Sequence, residues 1–196
     1  QALYDGSGQD DGSRNTAFGE GVLPDLDYGS ENTAMGSGAL GDLTSGSENV
    51  AIGADALRNM SSGSNNVAIG NDAGHGAAGG SNILIGDGAG FNNDGDYNIA
   101  IGAGALQNSD TGNNIAIGAF ALKDSTTGGE NTAVGSYSLM DNTTGTSNTA
   151  VGYNALNENE TGSANAAFGH YALQSNTTGT ANTAFGQAAL DSNTVG

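Results

Sequence analysis

The sequence predicts an all-β parallel solenoid, a β-roll of 16–17-residue coils, on three observations. A short motif recurs in register along the chain, its apolar residues alternate, and its period is too short for paired helices. The motif is Asn-[Thr/Val/Ile]-Ala-[Ile/Val/Phe/Met]-Gly, then two variable residues, usually Ala-Leu, and a polar turn containing glycine. It starts at Asn15, Asn32, Asn49, Asn66, Asn82, Asn98, Asn114, Asn131, Asn148, Asn165 and Asn182, in steps of 17 residues except for three of 16 between Asn66 and Asn114. Thirty-five glycines and 12% charged residues in 196 could mean low complexity, but low-complexity disorder does not hold such a register. Residues 15–196 therefore form a solenoid of eleven repeats, and residues 1–14 a degenerate N-terminal coil or junction marked by the insertion Gly6 to Ser13 and followed by the single proline, Pro24.

Each element of the coil has an expected role. Asn148 to Gly152 reads as a strand in which Thr149 and Val151 share one face. Tyr153-Asn154-Ala155-Leu156 reads as a second short strand, and Asn159-Glu160-Thr161-Gly162 as a turn. Stacked about 4.8 Å apart, eleven coils would make a rod roughly 50 Å long. The fourth repeat position (Phe18, Met35, Ile52, Ile69, Ile85, Ile101, Ile117, Val134, Val151, Phe168 and Phe185) is always large and apolar and is assigned to the core. The ninth (Leu40, Leu57, Leu106, Leu122, Leu139, Leu156, Leu173 and Leu190) should pack against it, with Leu3 and Leu23 as earlier equivalents. The third position is alanine except at Leu84. Its constancy suggests a second buried face packed on another chain; the alternative is a small residue demanded by strand geometry within one chain. The repeated asparagine can form an amide ladder, and the fifth-position glycine suits positive φ or a sharp corner.

Charge excludes several functions. Three basic residues (Arg14, Arg58, Lys123) stand against 21 acidic ones, for a net charge of −18. Phosphate backbones and anionic membrane surfaces need clustered cations, so no nucleic acid is expected as a partner. No apolar run approaches the ~20 residues needed to span a bilayer, so no membrane insertion is expected either. Without cysteine there are no disulfides or thiolate metal sites. The start, Gln1-Ala2-Leu3-Tyr4, does not read as a signal peptide.

Asn65-Asn66-Val67-Ala68-Ile69-Gly70 resembles the head repeats of trimeric autotransporter adhesins (YadA-like), and Asn148 to Leu156 with Thr177-Thr178-Gly179 resembles longer-period relatives in bacterial surface fibres and phage tail fibres. The resemblance covers residues 15–196; the adhesin heads themselves have shorter coils. It implies a left-handed roll, three chains around one axis, and an adhesive or fibre role. The expected place is extracellular, on a cell surface or virion fibre, and the expected partners are further copies of the chain and a host-surface glycan or matrix.

Other readings follow from particular residues. The chain reads as a non-enzyme. A trimeric hexapeptide-like acyltransferase is the lower alternative: Ile69-Gly70-Asn71-Asp72-Ala73-Gly74-His75 has something of that look, but such coils are built from sixes, and His75 reads as a loop residue. His170 reads as an exposed variable position. No cofactor is expected, calcium being the one possible ion, at Asp94 and Asp96 or at Asp5 with Asp10 and Asp11, because hard cations want clustered oxygens. Phe120, Tyr137, Tyr153 and Tyr171 fall near the turn between strands, and the three tyrosines are the candidate ligand-binding residues, able to stack on sugar rings. Threonines at the second position are interrupted by Val50, Val67, Ile83, Ile99 and Ile115, which argues against an ice-binding array. Sequons at Asn59, Asn142, Asn159 and Asn176 are expected in corresponding turns. Coil ends that look uncapped on both sides make a head-to-tail extracellular filament the alternative reading within the structural class.

Overall fold

The computed structural model describes residues 14–196 and has the solenoid architecture expected. Eleven three-residue strands, from Thr16–Phe18 and Thr33–Met35 to Ala166–Phe168 and Thr183–Phe185, form one parallel sheet in chain order. Each strand pairs with the strand one coil away in identical register, so Thr132, Ala133 and Val134 lie opposite Thr149, Ala150 and Val151. Among the described residues there is no helix, and hence none long and apolar enough to cross a membrane.

The remainder of each coil is turn. The Ala-Leu segment is not a second strand: its leucines sit in the left-handed region, with φ of 52° at Leu40, 51° at Leu156 and 50° at Leu173. Coils still bond there, Leu156 N–H donating to the Ala172 carbonyl at 3.0 Å, but the chain rounds a corner instead of extending. Among the described residues, ladder pairing outside the main sheet is confined to Asn92–Asn93 with Asn108–Ser109 and to bridges joining Tyr28, Ser45 and Ser62.

Which strand face points inward differs from the sequence expectation. Every described third-position alanine is buried, Ala34, Ala51, Ala68 and Ala100 completely. The fourth position points out: Phe18 is 67% exposed, Ile52 37% and Ile117 38%. Alternation puts Asn and Ala on one face, and hydrogen bonding decides that this face is the interior. Asn49 Nδ2 donates to the Asn32 Oδ1 (3.0 Å) and across the coil to the Gly63 carbonyl (2.9 Å), while its own Oδ1 accepts the Asn66 backbone N–H (3.1 Å). An amide reaching directly from strand to opposite turn sets a narrow interior. Where the ninth-position leucines fill the rest of the interior, only alanine fits beside it; Leu84 stands in the row where glycine replaces that leucine. The alanine is thus small because of geometry within one chain, and the expectation that it faces another chain is overturned.

A second core row was not anticipated. Three residues after the ninth position, from the coil of Leu23 to that of Leu173, lie Leu26, Leu43 and Met60, then Ala77, and from there Asn93, Ser109, Ser125, Asn142, Asn159 and Asn176, all buried. The apolar row thus gives way to a polar ladder, in which Asn159 Nδ2 donates to Asn142 Oδ1 (2.8 Å) and to the Gly162 carbonyl (2.9 Å). Among the described residues no buried side-chain nitrogen or oxygen lacks a partner, as a polar interior requires. The recurrence of Asn142, Asn159, Asn176 and Asn193 at 17-residue steps was the available signal.

The fifth-position glycine behaves as expected. Gly36 has φ 129°, and a side chain there would strike the Gly53 carbonyl of the next coil.

Candidate functional site: an aromatic edge

Directly after the fifth-position glycine the chain leaves the sheet, and the second residue beyond it takes left-handed φ in every coil. That row reads Gly21, Gly38, Asp55, Asp72, Gly88, Gly104, Phe120, Tyr137, Asn154, Tyr171 and Ala188, with φ between 52° and 70°. Gly, Asn and Asp enter this region at little cost, whereas a bulky side chain loses about 1–2 kcal/mol there. For the ninth-position leucines from Leu40 to Leu173 complete burial offsets that cost; Leu190, in the last coil, is half exposed. Phe120, Tyr137 and Tyr171 remain partly exposed, so their placement needs another source of stability or a use.

Part of the stability comes from one another. Phe120 stacks on Tyr137 with centroids 5.6 Å apart and planes 22° off parallel. Tyr153, one residue earlier in its own coil, crosses into the row and stands nearly perpendicular to Tyr137 (5.8 Å, 80°) and Tyr171 (5.7 Å, 82°). His170 leans on Tyr171 (4.0 Å) and Tyr153 (5.3 Å). Such pairs contribute roughly 0.5–1.5 kcal/mol each. The structure thus gathers the three candidate tyrosines into one continuous ridge with Phe120 and His170, with Tyr153 43% exposed at its centre. Asn157 Nδ2 bonds the Tyr137 carbonyl at 2.9 Å and ties the ridge to the coil above.

Below Phe120 the row drops to two glycines. Gly88 and Gly104 leave a cleft of about 270 Å³, with Phe120 and Phe91 as aromatic walls and Asp72, Asp87 and Gln107 as polar ones. A Cβ on Gly104 would lie 2.7 Å from the Phe120 ring, so glycine there is what lets the ring lean over the cleft; Gly88 faces open space. His75, in a turn as expected, stacks on Phe91 (4.9 Å, 3°) and contacts Asn59 through Nδ1 at 3.3 Å. A second cleft of about 440 Å³ lies among Glu20, Asp25, Asp42, Asp55 and Arg58 near Pro24.

The metal candidates are not gathered in this way. Asp96 Oδ1 accepts the Gly80 N–H at 2.7 Å, and among the described residues no three His, Cys, Asp or Glu side chains come together as a metal site. Asp5, Asp10, Asp11 and Leu3 lie outside the described residues. The sequons do not occupy corresponding places: Asn142, Asn159 and Asn176 are buried ladder residues, whereas Asn59 falls one position earlier in its coil and is exposed.

Near the opposite end of the same turn, Asp124, Asp141 and Glu158 succeed one another up the rod. Partial burial, then the charges of Asp124 and Glu158, push the Asp141 carboxyl above its ordinary value.

No protein-family model, curated protein or solved structure matches the chain.

Proposed function

We propose that the chain is a structural and adhesive segment of an extracellular fibre, in which copies, three in the arrangement the repeat resemblance implies, pack side by side through the outer face of the sheet. The observation that carries this reading is the composition of that face. Its two outward rows, Thr16 to Thr183 and Phe18 to Phe185, contain only Thr, Val, Ile, Ala, Met and Phe. In a chain of net charge −18 they hold no charged residue. The strip is about 50 Å long and roughly 10 Å wide, or about 500 Å², at the upper end of what monomers leave bare. Polar residues flank it on both sides, Glu48 and Glu130 before the strands and Ser37 and Ser136 after them, giving an apolar centre with a polar rim. A second copy is the occupant with matching chemistry, because its own strip is equally uncharged and its acids would stay in water. The fibre acts by contact and not by catalysis.

Light scattering of the purified chain tests the packing. The wild-type chain is expected as a discrete oligomer, and Ile101→Asp with Ile117→Asp as a monomer with unchanged far-UV circular dichroism. A wild-type monomer at all concentrations would sink the reading. Growth into long filaments under the electron microscope would instead favour head-to-tail stacking. Immunogold labelling of the source cells or virions should mark fibres outside the envelope or capsid.

A further inference from the structure

We propose that the aromatic edge is a carbohydrate-binding site for neutral glycans, with sugar rings stacking along Phe120, Tyr137, Tyr153 and Tyr171 and one unit seated in the cleft between Phe91 and Phe120. This names a ligand class for the contact surface of the proposed fibre. It rests on residues separate from the outer face of the sheet, so the two readings can fail independently.

Three observations converge. Five of the chain's eleven Phe and Tyr residues stand on this one edge, four of them linked ring to ring. Three of those four occupy left-handed backbone positions that other coils give largely to Gly, Asp or Asn, a placement the fold itself does not require. The ridge ends in a cleft of about 270 Å³, just below the usual range of small-ligand pockets and suited to a single ring.

The chemistry of the lining selects the ligand. Aromatic faces offer stacking to the C–H side of a pyranose. Asp72 and Asp87 accept hydrogen bonds from hydroxyls, and the Gln107 amide both donates and accepts. Asn71 Nδ2 bonds Asp72 Oδ2 at 2.6 Å and holds that carboxylate at the rim. No Lys or Arg lines the cleft, and the net charge of −18 opposes sialylated, uronic or sulfated chains. Nucleobases would stack equally well, but their phosphates meet the same repulsion.

The test is a glycan array carrying neutral, sialylated and sulfated oligosaccharides, probed with the labelled full chain, with a spotted series of lysine- and arginine-rich peptides beside it. Binding is expected to a subset of the neutral glycans only. Gly88→Asn should abolish signal from the cleft: position 88 faces open space, and Asn154 already occupies the same row at φ 54°, so the coil tolerates the residue while the cleft is filled. Tyr153→Ala with Tyr171→Ala should lower binding at least tenfold, with the urea midpoint of Gly88→Asn and the oligomer mass of both variants unchanged. Absence of any neutral-glycan signal, equal binding of sulfated glycans, binding indifferent to both variants, or retention of the basic peptides alone would each overturn the proposal.

Discussion

Leu84 occupies the space that a leucine at position 90 would fill: a Cβ on Gly90 would lie 2.6 Å from Leu84 Cδ2. Leu84 is the one large residue in the alanine row, and Gly74 and Gly90 are the two coils' replacements for the ninth-position leucine. A Cβ on Gly74 would meet Leu84 Cδ1 and Leu57 Cδ2 at 2.7 Å each. One side chain from the strand therefore replaces two from the turn, and the core stays filled where the repeat departs from its pattern.

The exchange predicts a coupled pair. Leu84→Ala should cost about 2–5 kcal/mol by opening a cavity, and Gly90→Leu alone about 1–3 kcal/mol by overpacking. The double variant restores the arrangement of neighbouring coils, where Leu106 has φ 48° and Gly90 already has φ 61°. It should recover most of the loss, giving a coupling well outside additivity in urea denaturation midpoints. Additive costs would show that the two residues do not share the space.

The asparagine ladder predicts a sharp penalty for a small change. Asn49→Ala leaves the Gly63 carbonyl and the Asn66 backbone N–H without their partner. At about 1–3 kcal/mol for each buried orphan, the loss should reach roughly 2–6 kcal/mol by urea denaturation. Gln187→Ala, on the exposed surface, should stay within about 0.5 kcal/mol.

Asp141 predicts a pH dependence of definite sign. Its folded pKa is raised above the ordinary 3.8, by partial burial first and by Asp124 and Glu158 next. The folded state therefore binds the proton more tightly than the unfolded chain, and stability falls as pH rises from about 4 through the raised folded value. Asp141→Asn should be the more stable protein at neutral pH, by a few tenths of a kcal/mol given the solvent exposure of the group. The advantage should vanish below about pH 4, where both states of the wild-type residue are protonated. Thermal midpoints across that range check it, and an advantage independent of pH would exclude the charge as its cause.

Burial predicts which sequons a glycosylating host can use. Asn142, Asn159 and Asn176 spend their Nδ2 groups inside the coil, on the carbonyls of Gly145, Gly162 and Gly179. Glycopeptide mass spectrometry of the folded, secreted chain should find modification at Asn59 and none at these three. A glycan on folded protein at Asn159 would contradict the inward ladder.

The aromatic edge was only half legible in the sequence. Tyr137 and Tyr171 are equivalent in the repeat, but Tyr153 is offset by one residue, and adjacency across coils is what inserts it between them. The cleft beside Phe120 depends on two glycines in consecutive coils and on the direction in which a ring leans, neither of which the repeat pattern expresses.

Periodicity by itself determined the coil, the parallel stacking, the asparagine ladder, the glycine corner and the buried ninth-position leucine, because register and backbone geometry are properties of spacing. It also determined that Asn shares a face with Ala and that Thr or Val shares one with Ile or Phe. Only the tertiary structure decided which face is inside. Size and hydrophobicity favoured burying the isoleucines, but an asparagine that must reach the opposite turn by a single hydrogen bond, as Asn148 reaches Gly162 at 2.8 Å, leaves no room for them. The width of the interior is set by the polar residue, and the large apolar ones are left on the surface.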